Sequence, residues 1–133
     1  MPALDAPARA LLEGKNFCTI STLRPDGSVQ ANVVWVDTDG EHVVVNSAEG
    51  RNWPANLDRD PRCTCTVPAA DNPYEYVSIR GVVDERSTYD ADEHIDKLAQ
   101  KYIGQDTYPF RQPGEKRVII RIRPEDVFYQ KQG

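Results

Sequence analysis

Residues 50–62 combine an arginine with the start of a short helix, and this combination suits a negatively charged ligand. An apolar run at 42–47 predicts a strand before this segment, and a glycine-containing loop follows the strand. Asn52 is a residue type that caps helices, and Pro54 is tolerated only in a helix's first turn. Such a helix start offers free backbone N–H groups and the positive end of its dipole. Because the forked donors of Arg51 match phosphate oxygens, we predict a phosphate site here; the alternative is an arginine that only meets solvent.

Strand and turn signals on both sides of this segment predict a mainly β fold with small helices. Pro-Asp-Gly at 25–27 and Asp-Gly at 39–40 are tight-turn signals, and Gly81 predicts a bulge or a bend inside a strand. The predicted strands are residues 16–23, 28–37, 41–47, 62–67, 74–84, 116–123 and 127–129, and the predicted helices are 3–13, a short one from residue 52, and 90–103. Because hairpins dominate the early chain, we expect a mostly antiparallel sheet that begins with a three-stranded meander. Closure into a barrel would remove its exposed edges.

The totals of the sequence exclude several classes of protein. A chain of 133 residues suits one domain, 1–133, and the net charge of -5 argues against general binding of nucleic acid. No apolar stretch approaches the roughly 18 residues of a membrane span, and no apolar signal core is present, so we expect a cytoplasmic protein without a membrane partner. Cys63 and Cys65 share one face of a strand, and together with Cys18 they fit buried thiols in a reducing compartment. The two histidines lack the usual ligand spacing, so we predict no metal.

An ordered set of motifs runs through nearly the whole chain, from about residue 16 to residue 127. The motifs are Thr19-Ile20-Ser21-Thr22-Leu23-x-Pro25-Asp26-Gly27, Gln30-x-Asn32-Val33-Val34-Trp35, the segment 50–62, Tyr76-Val77-x-Ile79-Arg80-Gly81, Leu98-x-x-Lys101-Tyr102 and Arg117-Val118-x-Ile120-x-Ile122-x-Pro124. In this order they resemble the pyridoxamine 5'-phosphate oxidase-like split-barrel flavoproteins, and most of all the actinobacterial branch that uses the deazaflavin coenzyme F420. The resemblance implies a split β-barrel of six or seven mostly antiparallel strands. It also implies a homodimer with shared cofactor clefts at the dimer interface.

The resemblance also implies which residues contact the cofactor. These are Gln30, Asn32, Asn46, Ser47, Arg51 and Asn56. We add Asn52, from the predicted start of the helix, and Trp53, which follows it, to the predicted cofactor-binding residues. Gln30 and Asn32 match the strand face that approaches the cofactor, and their amides suit the pyrimidine edge of a flavin or deazaflavin ring. The alternative for these two residues is a solvated strand face. Asn46 and Ser47 match the strand end beside the ring and its ribityl chain, while Arg51 matches the residue at the phosphate.

Trp53 departs from the family pattern, because relatives often carry a phosphate-binding lysine there. Trp53 could stack on a ring, cover apolar surface or fill the dimer interface. Tyr74 and Tyr76 share a strand face, where they either form a pocket wall or pack. Positive charge is concentrated on the last long strand, at Lys116, Arg117, Arg121 and Arg123. These residues predict either a groove for the cofactor's polyglutamate tail or a charged edge strand.

No combination of nucleophile and base is evident in the sequence, so the catalytic residues stay unknown. Hydride transfer is compatible with this, because the cofactor carries the chemistry. We predict an F420-dependent reductase that transfers a hydride from the reduced deazaflavin to a small conjugated organic substrate. The alternatives are an FMN-binding oxidoreductase, a non-catalytic F420 carrier, or a structural dimer whose site has decayed. FMN ends in a phosphate dianion, which would favour more positive charge than Arg51 alone provides.

Overall fold

One antiparallel sheet, curled into a half-barrel, is the central element of residues 3–132, the part of the chain that the computed structural model describes. Over that range the strands are β1 (Cys18–Leu23), β2 (Val29–Val34), β3 (Val36–Thr38), β4 (Val43–Ala48), β5 (Arg62–Ala69), β6 (Asn72–Ser87) and β7 (Arg117–Lys131). The helices there are α1 (Ala6–Glu13), α2 (Asn52–Arg59) and α3 (Ala91–Ile103). The strand order is β2-β1-β5-β6-β7-β4-β3, and every neighbouring pair is antiparallel. The predicted mainly β, antiparallel split-barrel fold is confirmed.

Two of the predicted tight turns set the register of their hairpins. Between β1 and β2, Gly27 has a φ of 87°, and the Asp26 carboxylate accepts a hydrogen bond from the Ser28 N–H at 2.9 Å. Between β3 and β4, Gly40 has a φ of 96°, and the Asp39 carboxylate accepts from the N–H of Glu41 at 2.9 Å. Glycine reaches positive φ without steric cost, and an aspartate can close its own turn through such bonds.

The predicted strand 28–37 is wrong as a single strand, because the chain leaves the sheet at Trp35. β2 and β3 lie at opposite edges of the sheet, so the predicted meander is also wrong. The Trp35 ring stacks on Tyr102 of α3 at 5.2 Å, and the Val36 N–H donates to the Tyr102 hydroxyl at 3.1 Å. At this point the chain contacts α3 and no longer pairs with β1. Only Trp35 separates β2 from β3, so the two edge strands of the sheet lie close together, as a curled sheet requires.

Two further differences from the prediction, and one agreement with it, concern the strands β5, β6 and β7. The segment predicted as a loop at 68–73 is a tight turn between β5 and β6, and β7 continues through Pro124 instead of stopping before it. The register shifts between Arg80 and Gly81, which confirms the predicted bulge. Pro124 pairs with Gly81 at this bulge, where the ladder is locally interrupted and a missing N–H is tolerated. A Cβ at position 81 would lie 2.5 Å from the Arg123 carbonyl oxygen, so the close approach needs glycine.

β7 is an interior strand between β6 and β4, so its interpretation as a charged edge strand is wrong. Its arginines are placed differently from one another. Arg121 pairs with Glu85 at 3.0 Å and with Asp90 at 3.2 Å, whereas the Arg117 side chain is only 2% exposed. The positive charge that the sequence concentrates on this strand is therefore largely paired or buried.

Alternating side chains of the sheet form one core against α1 and α2. Fully buried members include Leu12, Ile20, Ile79 and Ile120. The three thiols are buried too, as predicted, and a hydrogen bond with Cys65 together with burial raises the pKa of Cys63 well above its usual range. A smaller cluster joins α3 to Trp35 and Tyr108. None of the helices in residues 3–132 has the length and apolar character that a membrane crossing requires.

His42 connects the β3–β4 hairpin to β6 through two carboxylates. Its Nδ1 is 2.9 Å from Asp39 Oδ2, and its Nε2 is 2.8 Å from Asp84 Oδ2. Burial alone would lower the pKa of His42, but the hydrogen bonds to Asp84 and Asp39 outweigh this effect and raise it. Since the folded pKa lies above the unfolded value, protonated His42 stabilises the fold below about pH 6.5, and this contribution is lost as the pH rises through the folded pKa.

We therefore expect His42→Ala to lower the free energy of unfolding by up to about 1 kcal/mol at about pH 5.5, and by less at about pH 8.5. Urea unfolding of both proteins at the two pH values measures this difference. A loss of the same size at both values would contradict the assigned role of the imidazolium.

Candidate functional site

Two adjoining cavities lie where α2 begins, and Arg51 and Trp53 line both of them. The polar cavity, of about 460 Å³, is also lined by Gln30, Asn32, Gly50 and Asn52. The aromatic cavity, of about 260 Å³, is also lined by Phe17, Trp35, Asn46, Tyr108, Phe110 and Arg117. The structure thus brings most of the predicted binding residues around these two spaces, whereas Ser47 and Asn56 line neither.

The start of α2 differs by one residue from the prediction. Gly50 turns the chain with a φ of 92°, and Arg51 then takes the extended N-cap conformation, with no capping bond from its side chain. Asn52 is the first helical residue, so the prediction that its side chain caps α2 is wrong; the turn at Gly50 already delivers Arg51 in the backbone conformation that a cap requires. The N–H groups of Asn52 and Trp53 still lie in the first turn, where no intrahelical carbonyl can accept from them. Pro54 lies in that turn, as predicted.

Gln30 and Asn32 lie on the same face of β2 and both line the polar cavity. The Gln30 Oε1 accepts a hydrogen bond from Asn56 Nδ2 at 3.0 Å, and the same Nδ2 is 3.0 Å from Thr22 Oγ1. Asn56 is buried and orients Gln30 without facing the cavity. The Asn32 Oδ1 is buried and has no partner among the described residues. Buried polar atoms are rarely left without partners, so this oxygen is an exception, and it belongs to a residue that lines the polar cavity.

Asn46 and Ser47 are neighbours on β4, so their side chains point to opposite faces. Asn46 uses both ends of its amide within the chain: Nδ2 donates to the Ala91 carbonyl at 2.9 Å, and Oδ1 accepts from Arg117 Nε at 3.0 Å. The Ser47 Oγ is fully buried and has no partner in the described part of the chain. The cofactor contacts of both residues stay predictions, and the structure shows that Asn46 already ties β4 to α3 and β7.

Trp53 and the two tyrosines of β6 take different positions. Trp53 is only 5% exposed and packs with Leu57 in the main core, while part of its ring faces both cavities. Tyr76 packs at 6.1 Å from Phe128, and Tyr74 is exposed. Neither tyrosine lines the two cavities, so they form no wall of the candidate site.

A cluster of two arginines and one carboxylate forms the charged end of the site. Glu115 Oε1 lies 3.4 Å from Arg51 Nη2 and 3.2 Å from Arg117 Nη1. The Arg117 guanidinium also lies 5.0 Å from the centre of the Tyr108 ring. Burial lowers the pKa of Arg117 while the Glu115 charge opposes this, and an arginine keeps its charge at neutral pH despite such a shift. The Arg51 side chain is 47% exposed, so it can also reach a ligand.

A second network lies behind the aromatic cavity and extends from Asn46. His94 Nδ1 is 3.1 Å from Asn46 Nδ2, and His94 Nε2 is 3.5 Å from Asp37 Oδ2. Burial opposes ionisation of Asp37, but the bond with His94, the Thr38 N–H and the nearby lysines outweigh it and lower the pKa of Asp37 to about 2. Asp37 is therefore a carboxylate beside His94, and His94 in turn contacts the amide of Asn46.

Sequence reasoning missed Glu115, His94 and the aromatic residues of the loop before β7. Tyr108 and Phe110 lie in a polar segment without helical or strand periodicity, so no pattern indicated their direction. His94 lies one turn after Ala91 and beside Ile95 on the buried face of α3, which was a usable signal. Glu115 carried no signal, because its partners lie far away in the sequence.

The lining residues fit a planar ligand with a polar edge and a phosphate. Arg51 and Arg117 are the charged residues that line the cavities in the described part of the chain. The amides of Gln30 and Asn32 suit ring carbonyls and an N–H, and the α2 start suits an anion. The aromatic side chains next to them suit a conjugated molecule.

Comparisons with known proteins identify solved structures with a similar fold. A solved structure described as an F420 reductase is 32% identical, with a TM-score of 0.81 over 90% of this chain and 94% of its own. A structure described as a putative pyridoxamine 5'-phosphate oxidase from Listeria innocua has 18% identity, a TM-score of 0.70, and coverage of 92% and 94%. A conserved hypothetical protein from Mycobacterium tuberculosis has 22% identity, a TM-score of 0.74, and coverage of 96% and 84%. The last two show the fold alone, and no curated protein matches the sequence significantly.

The family model described as pyridoxamine 5'-phosphate oxidase matches residues 4–131, nearly the whole length of the sequence. This match confirms the resemblance that the ordered motifs indicated. The chain therefore belongs to the pyridoxamine 5'-phosphate oxidase family.

Proposed function

We propose that this protein is a coenzyme F420-dependent oxidoreductase that acts on a small conjugated organic substrate. The observation that carries the proposal is the polar cavity, where Gln30, Asn32 and Arg51 line the same space at the start of α2. Members of the family bind flavins, and the similar structure at 32% identity is described as an F420 reductase. These findings support a flavin-type cofactor, and the deazaflavin is our proposal.

Each lining residue has a defined task in this proposal. Gln30 and Asn32 orient the polar edge of the ring, and Asn56 holds the Gln30 amide in place. Arg51 and the first N–H groups of α2 bind the phosphate. The reduced deazaflavin supplies a hydride when it is bound. The aromatic cavity then receives the conjugated substrate, with Trp35 and Tyr108 as its apolar walls.

The protein's own groups do not include an evident acid for this reaction. No carboxyl or imidazole side chain lines the two cavities in residues 3–132. The proposal therefore takes the final proton from solvent, and the protein contributes binding, orientation and exclusion of water. Positioning of this kind supplies a large share of catalysis where a cofactor carries the chemistry.

The proposal includes a homodimer with shared sites and a cytoplasmic location. The outer face of β2, β1, β5, β6 and β7 carries a row of uncharged residues that ends in two exposed apolar side chains: Val33, Thr19, Thr66, Ser78 and Phe128. Val33 also lines both cavities, so a partner packed on this face would lie beside the site. The buried thiols without disulfides agree with a reducing compartment.

Titration of the purified protein with F420 and with FMN tests this function. Trp53 and Trp35 line the cavities, so intrinsic tryptophan fluorescence should report binding directly. We expect micromolar binding of F420, followed by oxidation of the reduced cofactor in the presence of a panel of enones and quinones. Binding of neither cofactor would refute the proposal. Binding without oxidation would favour a carrier, and binding of FMN alone would favour an FMN oxidoreductase.

A further inference from the structure

We propose that Glu115 makes the site select ligands whose phosphate group carries one negative charge over ligands with a phosphate dianion. The inference rests on the proposed function, because it takes Arg51 as the residue that meets the ligand phosphate. In this proposal Glu115, in the loop before β7, determines ligand specificity through its negative charge.

Glu115 lies between the two arginines that line the cavities. Its Oε1 is 3.4 Å from Arg51 Nη2 and 3.2 Å from Arg117 Nη1, and its side chain is only 6% exposed. Its Oε2 is buried and has no hydrogen-bond partner in residues 3–132. A carboxylate in such a poorly solvated position acts on nearby charges more strongly than a carboxylate at the surface.

The charges of this cluster sum to a single positive charge. Arg51 and Arg117 each contribute one positive charge, and Glu115 contributes one negative charge. Arg51 and Arg117 are the charged residues among those that line the cavities in the described part of the chain, and Glu115 contacts both of them. A phosphate diester, as in F420, carries one negative charge and balances the cluster. A phosphate monoester, as in FMN, carries about 1.5 to 2 negative charges at pH 7, so binding it leaves an excess of negative charge beside Glu115.

Glu115 also competes with the ligand for Arg51. The Arg51 guanidinium has planar, forked donors, and one of its terminal nitrogens already faces Glu115 Oε1. Binding of a diester can use the remaining donors while this contact persists. A dianion needs more positive charge than Arg51 offers while it contacts Glu115. The pair therefore disfavours a dianion in two ways: the carboxylate repels the second negative charge, and it occupies one of the Arg51 donors.

The near-isosteric variant Glu115→Gln tests this inference. Removal of the carboxylate charge should raise the affinity for FMN about tenfold relative to the affinity for F420, both measured by tryptophan fluorescence at about pH 8. Glu85→Gln is the matched control, because it removes the same charge from a residue that pairs with Arg121 outside both cavities. The control should leave the ratio of the two affinities unchanged.

If Glu115→Gln had the same ratio of FMN affinity to F420 affinity as the wild type, the inference would be overturned. The proposed function would still stand in that case, provided that the protein binds F420. Failure of the wild type to bind either cofactor would instead overturn the proposed function. If circular dichroism shows that Glu115→Gln is unfolded, the wild type provides the test through FMN and riboflavin, which lacks the phosphate. We expect FMN to bind less than about threefold more tightly than riboflavin, because Glu115 opposes the second phosphate charge. A gain of about a hundredfold would overturn the inference.

Discussion

Replacing Arg117 by alanine is expected to lower the free energy of unfolding by about 3–5 kcal/mol. The Arg117 side chain is 2% exposed and lies 3.2 Å from Glu115, whose carboxylate is itself buried. The substitution leaves that carboxylate with the 3.4 Å contact to Arg51 as its ion pair among the described residues. It also removes the donor to Asn46 Oδ1 at 3.0 Å. The buried carboxylate would lose the nearer of its two arginines, and the buried Asn46 oxygen would lose its donor. Such losses cost far more than the loss of a surface ion pair.

Urea unfolding of the wild type and of Arg117→Ala measures this loss. Arg123→Ala is the matched control on the same strand, because the Arg123 side chain is 40% exposed and its carboxylate contacts are no closer than 3.8 Å. The control should cost less than about 1 kcal/mol. If the two variants lost similar stability, Arg117 would not be the central charge of the buried cluster.

The local signals in the sequence were sufficient for most of the fold. The turns at Gly27 and Gly40 need only residues within the turn itself, and both occur as predicted. Gly81 was a correct signal for a bulge, because a close backbone approach excludes any side chain there. Interactions that close within a few residues are readable from a single sequence, since their physical cause lies in the same short segment.

The errors arise where distant residues decide the local structure. The strand breaks at Trp35 because Tyr102, far along the chain, stacks on its ring and binds the Val36 N–H. β7 passes through Pro124 because Gly81 across the ladder forms a bulge at that point. The residue patterns of 28–37 and 116–129 contain no sign of these contacts. The sequence therefore predicted a break near Pro124, where the strand continues, and no break at Trp35, where the strand ends.

The candidate site was predictable in part for the same reason. Arg51 and the α2 start lie in one short segment, whereas Gln30 and Asn32 were placed through the family resemblance. Glu115 and Tyr108 belong to a loop whose conformation depends on Arg117 and Arg51. The sequence therefore predicted Arg51 as an anion-binding residue, but it did not predict that the Glu115 carboxylate contacts it.

Replacing Arg51 by alanine is expected to weaken binding of the cofactor by about 1.5–3 kcal/mol, or about 10- to 150-fold in affinity. Arg51 lines both cavities, and its guanidinium is the charged group beside the free N–H groups of α2. The fold should tolerate the change, because the side chain is 47% exposed and Glu115 keeps Arg117 as its partner. Fluorescence titration with F420 should therefore show the loss at nearly unchanged stability in urea.

Arg62→Ala is the matched control for this loss, because it removes the same charge from a side chain that is 69% exposed and pairs with Asp60. General attraction between the protein and an anionic cofactor would weaken to a similar degree in both variants, and that result would contradict a direct contact at Arg51. A direct contact also predicts that the loss disappears for riboflavin, since that ligand has no phosphate for Arg51 to bind. Loss of affinity for F420 in Arg51→Ala alone, with riboflavin unaffected, would therefore place the ligand phosphate at the start of α2 and not elsewhere on the surface.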